Sequence, residues 1–271
     1  MTARIAICID DYGLHPAVDE AILALVGRGR VSATSCLVGG PAWTQDAPRL
    51  KQAFDAGRVD AGLHLDLTED PLDATLRKPV GAWMRDSLLR TLDRKRVRAE
   101  LVAQLDRFEA TMGRAPAHVD GHQHIHQFPV VRDIVIEELE RRYAGGHRPW
   151  LRSIRGAARW RFKGMVIETM GALAWVTSGR RTRLPQNRSL LGVYDFRGGA
   201  DRYRRLLADW MAHARDGDLL MAHVATGIVP GDEIAQPRVV EWEVFSQDGF
   251  DEVLRGAGVT VVRMSEIVAA S

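Results

Sequence analysis

Short apolar runs alternate with segments of helical periodicity along almost the whole of this chain. The first run, residues 5–9, is rich in β-branched residues, and apolar residues at helical spacing (Val18, Ile22 and Leu25) follow it. A run of this kind is typical of a strand that is buried on both faces, as in a parallel sheet. Because parallel strands are joined through right-handed helical crossovers, the alternation predicts an α/β architecture with a parallel sheet.

Eight strands can be placed in this way, and helices are predicted near residues 18–26, 44–56, 101–112 and 130–143. The predicted strands are residues 5–9, 32–38, 59–65, 117–120, 151–154, 190–194, 219–223 and 259–262. Seven or eight such units match a closed β/α barrel better than an open sheet. Neither a Gly-x-Gly-x-x-Gly motif nor a Walker loop supports a nucleotide-binding fold. We therefore expect one barrel domain that spans residues 1–271.

Composition excludes several classes of function. The 271 residues include 37 Lys and Arg and 35 Asp and Glu, so the net charge of +2 is smaller than that of a typical nucleic-acid-binding protein. Cys8 and Cys36 lie in apolar runs without the spacing of a metal knuckle, and we expect them to be reduced core residues. The N-terminus has no secretion signal and no apolar stretch has the length of a membrane span, so a cytoplasmic location is expected.

Polar residues at predicted strand ends are the first candidates for chemistry, because the loops after the strands build the site of a β/α barrel. Asp10 and Asp11 end the first strand, and adjacent carboxylates there are costly unless a cation or hydrogen bonds compensate them. His64 ends the third strand, and His223 ends the seventh, where it can act as an acid or base. Each has a structural alternative: Asp11 can cap the next helix, and either histidine can be a hydrogen-bonded core residue.

A dense group of histidines is the second candidate. The group occupies every second position of one segment, with the residues His118, Asp120, His122, His124 and His126. In a continuous strand, at about 3.3 Å per residue, its outer members would lie roughly 26 Å apart, so they cannot all bind one ion. We expect one or two metal ligands near Gly121, where the strand gives way to a loop; the alternative is a chance run of solvated histidines. Without a Gly-x-Ser-x-Gly elbow, a metal-activated water is favoured over a covalent nucleophile.

These segments together resemble the YdjC-like carbohydrate deacetylases, a family that includes chitooligosaccharide deacetylase and deacetylases of hopanoid biosynthesis. The resemblance covers most of the chain and rests on residues 9–14 (IDDYGL), 31–35 (VSATS), 62–65 (GLHL), 118–126 (HVDGHQHIH) and 194–196 (YDF). It implies a distorted, mostly seven-stranded, TIM-like β/α barrel. Two segments depart from the family pattern: residues 224–227 (VATG) replace Pro-Gly after His223, and Val38 stands where an asparagine is common.

The resemblance implies a hydrolase of linear amide bonds that removes the acetyl group from an N-acetylated sugar, either an oligosaccharide or a lipid-linked sugar. It assigns one divalent metal ion, Mg²⁺ or Zn²⁺, to Asp11, His64 and His122. Asp10 would be the base that acts on the metal-activated water, and His223 would be the acid. Substrate contacts are expected from His124, His126, Arg152 and Trp160.

Charge is distributed unevenly along the chain. Residues 141–188 contain twelve Lys or Arg and one Glu, a net charge of +11, which leaves −9 for the remainder. Aromatic residues lie among these basic residues: Trp150, Trp160, Phe162 and Trp175. One interpretation is a lid that stacks sugar rings and attracts an anionic group, with peripheral contact to a membrane lipid-linked sugar; the other is a solvated basic face with aromatic core contacts. The sequence does not determine the oligomeric state, and a homo-oligomer is one of the alternatives.

Two rival functions stay open at this point. The same barrel could be a catalytically silent protein that binds a glycan or a lipid headgroup, in which case sugar would bind without release of acetate. A non-haem iron oxygenase also uses two histidines and one carboxylate, and it would depend strictly on Fe(II) and O₂.

Overall fold

A computed structural model describes residues 2–146, 148–156 and 184–270 of the chain. Within these ranges eight strands form, each near a predicted one. They are β1 (Ala3–Tyr12), β2 (Ala33–Cys36), β3 (Asp60–Leu65), β4 (His118–Gly121), β5 (Trp150–Leu151), β6 (Leu190–Leu191), β7 (Leu219–Ala222) and β8 (Val259–Val261). The predicted succession of eight strands is therefore confirmed within the described ranges.

Helices lie between consecutive strands, as the alternation predicts, except between β5 and β6, where residues 157–183 are outside the described ranges. They are α1 (Pro16–Gly27), α2 (Trp43–Asp55), α3 (Val80–Leu88), α4 (Arg94–Met112), α5 (Val131–Arg142), α6 (Ala200–His213), α7 (Ala235–Ser246), α8 (Gly249–Gly256) and α9 (Met264–Ala269). Short 3₁₀ turns add Ala74–Leu76 and His122–Gln127. The four helices predicted from periodicity are α1, α2, α4 and α5, whereas α3 and α6 to α9 were not predicted. Among the described residues, none of the helices combines the length and the apolar character that crossing a bilayer would require.

All pairings within the sheet are parallel, in the order β5-β4-β3-β2-β1-β7-β6, and β8 pairs with the start of β1. Strands β5 and β6, which are the two edges of this sheet, are connected by hydrogen bonds of their neighbouring residues. The Leu151 N–H donates to the carbonyl of Pro185 at 2.8 Å, and the Leu190 N–H donates to the carbonyl of Arg155 at 2.7 Å. The seven strands therefore curl into the distorted β/α barrel that was predicted.

The central strand β1 is buried on both faces, which explains its nearly continuous apolar sequence. Ile5, Ile7 and Ile9 belong to the larger buried cluster, which the surrounding helices share, whereas Ala6 and Cys8 belong to a second, smaller cluster. Cys8 is buried and free, and so is Cys36, as predicted. The period of two thus divides one strand between two packed layers.

The carboxyl end of β1 is irregular. Its register with β2 shifts between Ile9 and Tyr12, and Asp11 has a φ of 74°, which is rare for a residue with a side chain. A bulge of this kind changes the direction in which a side chain points. The strand therefore continues through both aspartates, and the bulge lets the two carboxylates reach different partners.

Candidate active site

The Asp11 carboxylate is fully buried and lies between two imidazole rings. Its Oδ1 atom is 3.3 Å from His64 Nε2 and 3.1 Å from His122 Nδ1. The two rings meet edge to face, with their centroids 5.5 Å apart. Backbone strain at Asp11 is a cost that persists only where the surrounding structure determines the conformation. The bulge in β1 and the ends of β3 and β4 thus bring these three side chains together.

Two imidazole nitrogens and one carboxylate oxygen, all within 4.8 Å of one another, are a donor set that suits a divalent cation and leaves coordination positions open. His64 is also oriented for this task. Its Nδ1 lies 2.6 Å from Asp120 Oδ1, a contact that fixes the tautomer and directs Nε2 towards Asp11. The register of β3 and β4, which places His64 beside Asp120, supplies that contact. The residues present therefore fit a bound divalent ion.

Electrostatics at this cluster favour a cation. Burial opposes protonation of His64, but Asp120 and Asp11 outweigh it and raise the pKa of His64 to about 9. For His122 burial also opposes protonation, and the Asp11 carboxylate raises its pKa well above the ordinary value. The carboxylates thus attract positive charge to this point, and a divalent ion would supply it.

Asp10 has a different environment from its neighbour. Its two oxygens accept hydrogen bonds from Arg152 Nη1 and Nη2, both at 2.6 Å, and both side chains are almost completely buried. Burial would raise the pKa of Asp10, but the Arg152 guanidinium outweighs it and lowers that pKa. Arg152 also lies 2.7 Å from Asp120 Oδ2. Asp10 is therefore an ionised carboxylate in a fixed orientation.

The histidine-rich segment leaves the strand at Gly121, and this end of the strand was predicted. His122–Gln127 forms a 3₁₀ turn in which Gln123 and His124 have φ values of 51° and 59°. The turn separates the alternating histidines. His118 is buried, with its Nε2 3.0 Å from Ser35 Oγ. His126 is buried with its Nε2 3.2 Å from the carbonyl of Arg152.

A cavity of about 810 Å³ opens above the Asp11 cluster. Its polar lining includes Asp10, Asp11, His64, His122, His124, His223 and Arg238, and its apolar lining includes Val80, Met84, Phe128, Ile154, Val193 and Phe196. Of the residues predicted to contact substrate, His124 lines this cavity. Among the described residues Arg152 and His126 lie behind its wall, and Trp160 lies outside the described residues.

His223 follows β7 and lines the same cavity as Asp10 and Asp11. Its ring meets Phe196 edge to face, with the centroids 5.5 Å apart. Burial lowers the pKa of His223 to about 4, although the two aspartates act in the opposite direction. The imidazole is therefore neutral at neutral pH in this arrangement.

The alternative that Asp11 caps the first helix is wrong. His15 is the N-cap residue of α1, and its Nδ1 accepts a hydrogen bond from the Ala17 N–H. The left-handed conformation of Asp11 and its contacts with histidines leave it no part in the helix terminus.

Arg238 and Glu241, both on α7, were not predicted as site residues. Arg238 Nη2 donates to Asp11 Oδ2 at 2.7 Å, and Glu241 Oε2 accepts the His223 N–H at 2.8 Å. A charged pair three residues apart is common on solvated helices, so the sequence alone does not distinguish these two.

Much of the basic charge in residues 141–188 that the structure describes is paired with carboxylates, either at the surface or in the interior. Arg141 pairs with Glu138, Arg142 with Glu109, Arg152 with Asp10, and Arg188 with Asp218. The rest of the predicted lid, which includes Phe162 and Trp175, lies outside the described residues.

Comparison with curated proteins finds relatives over part of the chain. A carbohydrate deacetylase of Mus musculus is 35% identical over 150 residues, which are 51% of this chain and 47% of that protein. A chitooligosaccharide deacetylase of Citrobacter koseri is 33% identical over 132 residues, which are 46% of this chain and 51% of that protein. The matched region is thus about half the length of these relatives.

Similar solved structures support the fold alone, because their identities are low. A candidate cellobiose-phosphate cleavage protein from Enterococcus faecalis V583 covers 99% of this chain, with a TM-score of 0.69 at 19% identity. A peptidoglycan N-acetylglucosamine deacetylase covers 100% of it, with a TM-score of 0.53 at 11% identity. The model of the YdjC-like protein family matches residues 4–256, nearly the whole chain. This protein therefore belongs to the YdjC-like family.

Proposed function

We propose that this chain is a metal-dependent hydrolase that removes the acetyl group from an N-acetylated sugar. The observation that carries the proposal is the convergence of Asp11, His64 and His122 on one cavity that Asp10 also lines. The names of the curated relatives, carbohydrate deacetylase and chitooligosaccharide deacetylase, support the same class of reaction. A cytoplasmic location and a homo-oligomer stay predictions.

A divalent ion, Mg²⁺ or Zn²⁺, held by Asp11, His64 and His122 would polarise the acetamide carbonyl and lower the pKa of a water molecule. The Asp10 carboxylate accepts a proton from the attacking water. Arg152 holds both Asp10 oxygens, so the base is ionised and cannot rotate away from the reacting atoms. A new C–O bond forms as the C–N bond breaks, which yields acetate and a sugar amine.

The departing nitrogen needs a proton, and we assign its donation to His223. The residue lines the cavity on the side of β7, across from the ends of β3 and β4. Because burial keeps this imidazole neutral, it must take up a proton from solvent before it can donate one to the nitrogen. Negative charge that develops next to the ring during the attack favours that uptake.

The size and lining of the cavity suit a sugar. Ligand sites commonly enclose about 300 to 1,000 Å³ and combine apolar walls with a few polar groups, as this cavity does. We assign direct substrate contact to His124. Arg152 and His126 lie behind the wall, so we assign them to the support of Asp10, and Trp160 stays a predicted substrate contact.

The test is acetate release from a panel of N-acetylated monosaccharides, oligosaccharides and lipid-linked sugars, with and without chelator. We expect release from at least one sugar, its loss on chelation, and its recovery with Mg²⁺ or Zn²⁺. Saturable sugar binding without acetate release in the metal-loaded protein would instead identify a silent binding protein. Turnover that requires Fe(II) and O₂ would identify an oxygenase.

A further inference from the structure

One face of α7 carries two oppositely charged side chains that are almost completely buried. Arg238 is 1% exposed and Glu241 is 0% exposed, and their spacing of three residues puts them on the same side of the helix. Buried charges are costly unless partners compensate them. Each of these two finds its partner at a different edge of the cavity.

The two oxygens of the Asp11 carboxylate have different partners: Oδ2 accepts a hydrogen bond from Arg238, and Oδ1 faces the two histidines. The donor is Arg238 Nη2, which lies 2.7 Å from Oδ2, and the histidines are His64 and His122. Arg238 Nε is itself held by Asp232 Oδ2 at 2.6 Å, which fixes the plane of the guanidinium. With Oδ2 occupied, Asp11 can offer one oxygen to a cation, not two.

Glu241 holds the other edge of the cavity. Its Oε2 accepts the His223 N–H at 2.8 Å and the Tyr203 hydroxyl at 3.2 Å, and its Oε1 accepts the Tyr194 hydroxyl at 2.7 Å. One carboxylate therefore joins the end of β7, the segment after β6 and helix α6. These contacts fix the main chain from which the His223 ring projects.

We propose that Arg238 and Glu241 are positioning residues through which α7 sets the geometry of the site. Arg238 limits Asp11 to a single ligating oxygen, and Glu241 fixes the main chain of His223. The second half deepens the proposed function and rests on it, because it concerns the acid of that reaction. Sites of this kind work only when the reacting groups are held within a fraction of an ångström, so the support is as necessary as the groups it holds.

The Arg238 half is tested without any substrate, with Co²⁺ as the probe, because its visible absorption bands report the ligand geometry. We expect Arg238→Met to shift the bands, since both Asp11 oxygens become available, and Arg238→Lys to keep them. As a second readout, where the wild type releases acetate from a sugar, Arg238→Met should release it about tenfold or more slowly. Arg188→Met is the matched control, because it removes an ion pair with Asp218 at the opposite end of β7 and should leave the bands unchanged. Wild-type bands in folded Arg238→Met would overturn this half; if that variant does not fold, Arg238→Gln replaces it under the same criterion.

The role of Glu241 is tested by two variants that differ in whether residue 241 can accept a hydrogen bond from the main-chain N–H of His223. Glu241→Met removes the acceptor of the His223 N–H, whereas Glu241→Gln can keep an oxygen at that place and donate to Tyr194 from its amide. We expect kcat to fall by about ten- to a hundredfold in Glu241→Met, with KM and the Co²⁺ bands close to wild type, and to recover largely in Glu241→Gln. Hydrogen exchange in residues 219–227 should quicken in Glu241→Met and not in Glu241→Gln.

The experiments distinguish failure of the proposed function from failure of the positioning roles. If the wild type releases acetate from no sugar, the proposed function fails, while the Co²⁺ bands and hydrogen exchange still decide the positioning roles. If the wild type is active and Glu241→Met matches it in kcat and in hydrogen exchange, the positioning role of Glu241 fails alone.

Discussion

Asp10 and Asp11 are neighbours in the chain, yet the tertiary structure gives them different chemistry. Asp11 adopts a left-handed backbone and meets two imidazoles, whereas Asp10 is held in a bidentate ion pair by Arg152. The bulge in β1 separates them. Their substitution should therefore have different consequences.

Asp11→Asn replaces a charged oxygen ligand with a neutral one, so we expect weaker metal affinity and an activity loss that excess ion partly restores. Asp10→Asn should keep the metal, and because the amide cannot accept the proton of water, kcat should fall by about 10² to 10⁴-fold without rescue. Bound metal and kcat are measured for both variants. A metal-free Asp10→Asn protein, or near-normal turnover in its loaded form, would remove Asp10 from the role of base.

Glu241 should make stability depend on pH. Burial raises the pKa of Glu241 to about 7, and the hydrogen bonds from His223, Tyr194 and Tyr203 and the charge of Arg238 lower it less than burial raises it. The folded state thus binds this proton more tightly than the unfolded state, whose Glu pKa is about 4.3. The stabilisation that this proton gives to the folded state is complete below about pH 4.3 and is lost as the pH rises to about 7.

The measurement is the free energy of unfolding of wild type and Glu241→Gln between pH 5 and 8. Wild type should lose about 2 to 3 kcal/mol relative to the variant across this range. A difference that is constant with pH would contradict the prediction.

At the scale of elements, the His118 side chain of β4 lies so close over Gly62 of β3 that this position tolerates no side chain. A Cβ at Gly62 would lie 2.4 Å from three ring atoms of His118. The ring cannot retreat, because it stacks on Trp150 with the centroids 4.1 Å apart. It also contacts Ser35, which donates to Asp120, the partner of His64.

Gly62→Ala should therefore cost about 1 to 3 kcal/mol of unfolding free energy and also weaken cation binding. Gly27→Ala is the matched control, because a Cβ at the end of α1 meets no atom within 4 Å. It should be neutral or stabilising by up to about 1 kcal/mol. Chemical denaturation measures both variants, and equal stability of the two would show that His118 can move aside.

At the scale of the whole molecule, a cation at Asp11 would join the ends of β1, β3 and β4. An ion that binds only the folded state stabilises it by about 2.7 kcal/mol at a hundred times its Kd. For a chain of this length we expect Tm to rise by roughly 5 to 10 °C with saturating Mg²⁺ or Zn²⁺. Thermal unfolding with and without chelator tests this, and a rise of equal size in Asp11→Asn would place the ion elsewhere.

The sequence by itself determined the class of fold and the main candidates for chemistry. Strands such as Ile5–Ile9 within β1 could be predicted because burial on both faces leaves a continuous apolar run, which is a local signal. The end of β4 at Gly121 could be predicted too. Asp11 and His64 could be nominated because polar residues at the ends of buried strands are costly unless partners compensate them. The choice of His122 from the histidine group rested on the resemblance to the family.

Only the tertiary structure decided how these groups are supported. Arg152 is 142 residues from Asp10, and Arg238 is 227 residues from Asp11, so no local pattern records either pair. Arg152 was expected to contact substrate, yet it is fully buried and donates to Asp10. The periodicity of apolar residues indicates which residues are buried. Which residues contact each other across the barrel depends on how the sheet closes and on the bulge at Asp11, and neither is a local property of the sequence.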